Sequence, residues 1–98
     1  MEYQISVRKE AEADIIEAFE YYESCQKNLG RDFLQCIEES LTKIQKNPLF
    51  YKEIYQQVRR IFINRFPYGV YFVILEDSLL VIGVIHVRKN PLHWKKRT

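Results

Sequence analysis

The sequence predicts an α+β domain: a short N-terminal strand, an antiparallel helical hairpin, then a three-stranded antiparallel sheet. Apolar residues alternate with polar ones at the N-terminus, and strand-like runs return in the second half. Between these runs they recur at three- and four-residue steps over two consecutive stretches. The helical and strand patterns are segregated rather than interleaved, which favours helices laid on one face of an antiparallel sheet. A length of 98 residues admits one domain, read as spanning 1–98. A chain of this size buries only about 60–68% of its unfolded surface. With 47% hydrophobic, 14% aromatic and 29% charged residues, the composition excludes a disordered tail, a collagen-like repeat and a coiled coil.

The first strand is expected over residues 2–7, where Tyr3, Ile5 and Val7 share a face. The first helix is expected from Lys9 to Asn28, with Ala11, Ile15, Phe19 and Tyr22 as its apolar stripe. Glu10, Glu12 and Asp14 crowd its beginning, where carboxylates favour the helix dipole. Glu23 and Lys27 have the spacing of a helical ion pair, and Gly30 reads as a left-handed helix stop. The second helix is expected from Arg31 to Lys46, burying Phe33, Ile37, Leu41 and Ile44 and ending at Asn47-Pro48. Residues 49–57 fit a loop or a brief helix. Val58–Phe66, Tyr68–Glu76 and Leu79–Lys89, rich in Val, Ile, Phe and Tyr, are three consecutive strands; Glu76-Asp77-Ser78 turns the last two into a hairpin.

The net charge of +2 hides an asymmetry. Residues 1–53 carry 7 Lys/Arg against 11 Asp/Glu, net −4, and residues 54–98 carry 8 against 2, net +6. The second half therefore invites an acidic or anionic partner. No apolar run approaches the ~18 residues of a membrane span, and the N-terminus lacks the basic and apolar regions of a signal peptide. A cytoplasmic protein is expected. Cys25 and Cys36 read as two small buried or half-buried thiols, and two cysteines with two distant histidines give no metal-ligand spacing, so neither metal nor cofactor is expected.

Chemistry could reside in the basic half. Arg59 and Arg65 share a face of one expected strand, with Arg60 opposite, and such a cluster suits an anion or carboxylate as well as a solvated edge. His86 and Arg88 share a face of the last expected strand, in line with Val84 and Ile82; they could grip a phosphate or move a proton. GxSxG and P-loop motifs are absent. The tail sets Trp94 among Lys89, Lys95, Lys96 and Arg97. It either meets RNA bases or an acidic protein surface, or folds its indole back onto the sheet. Tyr21 and Tyr22 adjoin in the first helix and cannot both face the core, which leaves one for a partner.

Ala11-x-x-Asp14, Tyr21-Tyr22, Gly30, Phe33, Ile37 and Asn47-Pro48 resemble the helical half of RelE/ParE-superfamily toxins. The resemblance continues through Arg59-Arg60, Arg65-Phe66-Pro67-Tyr68-Gly69-Val70-Tyr71 and Val84-Ile85-His86-Val87-Arg88-x-x-Pro91-x-x-Trp94. It implies the bacterial toxin of a type II toxin–antitoxin module, held as a hetero-oligomer by a small cognate antitoxin and needing no cofactor. RelE-like members cut messenger RNA in the ribosomal A site, and ParE-like members inhibit DNA gyrase. This sequence departs from the RelE pattern at Gly69, Asn90 and Trp94, and its Phe66-Pro67-Tyr68 and His86-x-Arg88 motifs look more like ParE-type and plasmid-stabilisation proteins. For a ParE-like toxin the resemblance implies target contacts from Arg59, Arg60, Arg65, Tyr68, Arg88, Trp94, Lys95 and Lys96, and antitoxin contacts from Tyr21, Tyr22 and Phe50. For an mRNA endoribonuclease, His86 would transfer the proton and Arg65 and Arg88 would stabilise the phosphate. An inactive partner-binding domain is the third alternative.

Overall fold

A computed structural model describes residues 3–98; Glu2 of the expected first strand lies outside the described residues. The chain folds as β1 (Gln4–Val7), α1 (Lys9–Cys25), α2 (Leu29–Lys46), a 3-10 turn (Pro48–Phe50), β2 (Glu53–Tyr55), β3 (Val58–Phe62), β4 (Tyr68–Leu75), β5 (Ser78–His86) and α3 (Leu92–Lys95). The strands form one sheet of order β1-β5-β4-β3-β2. All neighbours are antiparallel except β1, which runs parallel to β5. The α+β class holds, and the sheet is wider than expected. Residues 53–55, within the segment read as loop or helix, add an edge strand, and β1 joins the same sheet.

The helical hairpin buries its stripe on one sheet face. Ala11, Ala18, Phe33, Cys36, Ile37 and Ile44 meet Ile61, Val70, Phe72, Leu79, Val81 and Val84. The opposite face carries a second, smaller cluster in which Trp94 covers Val58, Tyr71, Ile82 and Ile85. A bulge in β5 reconciles the two faces. Tyr71 pairs with Gly83 and Phe72 with Val81, so Ile82 has no opposite residue. The extra residue shifts the alternation, placing Val81 and Val84 toward the helices and Ile82 and Ile85 away from them. The expected alignment of His86 with both Val84 and Ile82 is therefore corrected: only Val84 shares its face. The strand ends at His86, and Arg88 lies in the following turn.

The inter-helix joint also differs from expectation. The helix break falls at residues 26–28, Asn28 takes the left-handed conformation (φ 70°), and Gly30 is helical. Gly30 serves a close approach: a Cβ there would lie 2.8 Å from both the Phe19 ring and the Phe19 carbonyl oxygen. Glu23 does not pair with Lys27. Its carboxylate instead accepts the backbone N–H groups of Asn28 (2.9 Å) and Gly30 (3.0 Å), satisfying donors that begin α2. Glu23→Ala should cost about 1 kcal/mol, the usual value of a lost cap, read as a lower urea midpoint at unchanged slope. An unchanged midpoint would deny Glu23 this role. Glu76 adopts φ 56° in the two-residue Glu76-Asp77 turn, as the predicted β4–β5 hairpin requires.

Candidate functional site

The turn between β3 and β4 places the first functional side chains. β3 stops at Phe62, so Arg65 belongs to the turn, with φ 71°, and shares no strand face with Arg59. The turn is held by the Ile63 N–H on the Tyr68 carbonyl (3.1 Å), the Tyr68 N–H on the Phe66 carbonyl (2.8 Å) and the Val87 N–H on the Pro67 carbonyl (2.9 Å). Tyr68 is thereby set directly opposite His86 in the β4–β5 register, the two rings 5.3 Å apart and near perpendicular. Beneath Tyr68 lie Phe33 at 5.3 Å and Tyr22 at 6.1 Å, and Phe66 completes this aromatic cluster. Burial pushes the Tyr68 phenol up from its ordinary value, with Tyr22, Glu17, Tyr21 and Asp14 adding in the same direction. Burial likewise raises Tyr22. Both therefore remain neutral phenols at neutral pH.

His86 accepts the Arg88 backbone N–H at Nδ1 (3.0 Å), so the hydrogen-bond network assigns the proton of the neutral ring to Nε2. The imidazole borders a small cavity of about 60 Å³ whose walls also include Asp14, Glu17, Tyr68, Lys89, His93 and Arg97. Neither Arg65 nor Arg88 lines it. The Arg65 guanidinium lies 3.4 Å from the Asp32 carboxylate on α2 and 5.4 Å from the Phe66 ring centroid. Arg88 is exposed. Of the three groups of the ribonuclease expectation, only His86 lines this cavity.

At the wall of that cavity sits a pair that the sequence reading passed over. β1 pairs with β5 only from Ser78 to Val81, and the Arg8 N–H then bonds the Val81 carbonyl (3.0 Å). Further along this edge of β5, Asp14 from α1 accepts the Val84 N–H (3.0 Å), and Arg97 donates to the Ile82 carbonyl (3.0 Å). Asp14 and Arg97 join each other at 2.7 and 3.3 Å, and the Arg8 guanidinium bonds the Arg97 carbonyl. Two side chains thus replace the missing strand. Gly83 makes room, because a Cβ there would lie 2.9 Å from the Arg97 guanidinium. Local sequence accounts for Asp14 as a carboxylate near a helix start and part of the Ala11-x-x-Asp14 motif, and for Arg97 as part of a basic tail. Their separation by 83 positions left no local signal of the pair.

The remaining candidates separate by face. Arg59 pairs with Glu53 (3.4 Å) and donates to the Tyr51 carbonyl (2.6 Å), which ties β3 to the edge strand. Arg60, on the opposite face, lies over the rings of Phe62 (4.3 Å) and Tyr71 (5.8 Å). Trp94 is buried, stacked on Tyr71 at 4.9 Å and set edge-on to Tyr55 at 5.9 Å. Of the two readings of the tail, the fold realises the one in which the indole returns to the sheet, because Val58, Tyr71 and Ile82 give it apolar surface to cover. Lys95 lies 4.7 Å from the Tyr55 ring centroid, and Lys96 is exposed. The outer face is thus an aromatic layer bordered by Arg60 and Lys95. Tyr21 is exposed while Tyr22 enters the helix-side cluster, resolving the adjacent pair as expected. Phe50 is 75% exposed beside Leu49. Cys36 is buried as expected, whereas Cys25, at the end of α1, is exposed rather than buried, and both thiols are free. Among the described residues no helix is long and apolar enough to cross a membrane.

The architecture defines a class. A two-helix hairpin on a sheet of this order superposes on a chain of the chromosomal ParDE TA system from P. aeruginosa with TM-score 0.75, at 16% identity, covering 86% of this chain and 95% of that one. Comparison with curated proteins returns no match. The family model for the ParE toxin of type II toxin–antitoxin systems, parDE, matches residues 5–91, and the chain belongs to that family.

Proposed function

We propose that this protein is the toxin half of a parDE-type module and that it inhibits DNA gyrase by protein–protein contact. Family membership supports the toxin role. The observation that favours contact over RNA cleavage is the separation of the ribonuclease set: Arg65 lies beside Asp32 and Arg88 is exposed, both outside the cavity that His86 lines. RNA cleavage needs a proton-transfer group and a cation converging on one phosphate. Basic groups on the outer face and tail, including Arg60, Lys95 and Lys96, would meet the acidic or DNA-bearing surface of the enzyme. Purified protein should abolish ATP-dependent supercoiling of relaxed plasmid by gyrase. Full supercoiling at saturating protein would overturn this reading. Induction in cells should leave transcript ends unchanged, and His86→Ala should stay toxic; A-site cuts that vanish in His86→Ala would establish the ribonuclease instead.

The cognate antitoxin would cover apolar surface that the fold leaves exposed, with Tyr21 and Phe50 among its contacts, in a cytoplasmic hetero-oligomer. Tyr22, half-buried in the aromatic cluster, would act mainly by supporting Tyr21, whose ring it meets edge-on at 5.2 Å.

A further inference from the structure

A second and larger depression lies beside the small cavity, between α1 and the β3–β4 turn. It measures about 490 Å³ and is walled by Tyr21, Tyr22, Pro67, Tyr68, His86 and Glu17, with Ala18 at the helix. Its aromatic walls are ordered by one another. Tyr21 meets Tyr22 at 5.2 Å, Tyr22 meets Tyr68 at 6.1 Å, and Tyr68 meets His86 at 5.3 Å. No lysine or arginine lines it; Lys89, His93 and Arg97 border the adjoining smaller cavity, with which it shares Glu17, Tyr68 and His86.

The charge around this groove is the reverse of that on the tail. Six of the 17 residues of α1 are acidic and only Lys9 is basic. Asp14 is neutralised by Arg97, and the Glu23 carboxylate is occupied by the start of α2. Glu17 is exposed and, among the described residues, has no ion-pair partner. An unpaired carboxylate at the mouth of an aromatic-walled groove favours a cation. The ring faces carry negative quadrupole charge, and partial burial of Tyr22 and Tyr68 reduces the water that would screen it. An anion or a carboxylate-bearing side chain would be repelled by the same groups.

We infer that this groove receives a single arginine side chain of a protein partner, its guanidinium laid against the tyrosine rings and paired with Glu17. A guanidinium fits better than an ammonium ion because its flat, weakly hydrated surface stacks on aromatic faces while its N–H edge meets a carboxylate. The groove would select a basic segment, whereas the tail and outer face would select an acidic one; the groove shares Tyr68 with the implied target contacts and Tyr21 and Tyr22 with the implied antitoxin contacts.

The test is an aromatic NMR titration of the full chain with the blocked tripeptide Gly-Arg-Gly, against counterparts carrying norleucine or glutamate at the centre. Ring signals of Tyr21, Tyr22 and Tyr68 should move and saturate with the arginine peptide and stay still with the glutamate one. Glu17→Gln and Tyr21→Ala should each weaken binding by about fivefold or more, the loss expected of one such contact, while Tyr21→Phe should retain it. Both variants change exposed side chains, so an unaltered circular dichroism spectrum is expected beside the weaker binding. Equal affinity for the norleucine peptide, unchanged affinity in Glu17→Gln, or no movement of the tyrosine signals would each overturn the inference. None of these outcomes bears on the supercoiling assay.

Discussion

Phe33→Ala should lose about 3–5 kcal/mol of folding stability, the range for truncating a buried phenylalanine. Phe33 has no exposed surface and touches the rings of Tyr22, Phe66 and Tyr68 at 5.5, 5.4 and 5.3 Å. It is the only aromatic residue of α2. Removing it forfeits apolar burial and leaves a void that the rigid β3–β4 turn cannot close by collapse. Domains of this size are stable by about 5–15 kcal/mol, so the loss would take a large share of the total. The urea midpoint should fall sharply with the slope unchanged. Phe50→Ala, at a ring 75% exposed, should stay within about 0.5 kcal/mol and serves as the comparison. A loss below about 1 kcal/mol for Phe33→Ala would mean the aromatic cluster is not packed as described. The same substitution should loosen the walls of the tyrosine groove, since Tyr22 and Tyr68 both rest on the Phe33 ring.

Asp14→Ala should cost about 2–3 kcal/mol, because one change strands two donors. The Val84 N–H loses its acceptor, and the Arg97 guanidinium keeps only the Ile82 carbonyl. The two side chains are 20% and 19% exposed, so water reaches them in part and the figure belongs at the lower end for a broken buried pair. Arg97→Ala should cost less, since Asp14 would still accept from Val84. A double-mutant cycle should give a coupling of about 1–2 kcal/mol between the two positions. Amide exchange at Val84 should accelerate strongly in Asp14→Ala and little in Arg97→Ala. Equal acceleration in both variants, or none in either, would contradict the strand-substitute role.

This pair shows where reading the chain stops. Asp14 obeys the local rule that carboxylates gather near helix starts, and Arg97 sits in a run of cations. Each has a sufficient local explanation, and only the shortness of β1 leaves the β5 edge needing both. Glu23 follows the same pattern. Its spacing to Lys27 matches a helical ion pair, yet the chain turns after Cys25 and brings the unsatisfied N–H groups of α2 within reach. Hydrogen bonds to charged acceptors outweigh an exposed i,i+4 pair, which contributes only about 0.3–0.5 kcal/mol. Gly30 is a special position because Phe19 crowds it, not because of its own φ, which is helical.

Tyr21, Tyr68 and His86 were each legible as candidates, whereas the groove they share was not. It exists because the β3–β4 turn docks against α1, a contact between segments some 50 positions apart in the chain. Arg59 and Arg65 were grouped by alternation along a strand that in fact ends at Phe62. Once the backbone leaves the pleat at that point, period two no longer says where a side chain faces.

Periodicity and turn chemistry determined the fold class of this protein, its two amphipathic helices and the β4–β5 hairpin, because burial of an apolar stripe and the chemistry of a two-residue turn act over a few neighbouring residues. Tertiary structure decided the width of the sheet, the bulge at Ile82, the return of Trp94 to the outer face and the Asp14–Arg97 closure. Those depend on which backbone groups and apolar surfaces remain unsatisfied after the elements dock, and that remainder is a property of the assembled fold rather than of any segment within it.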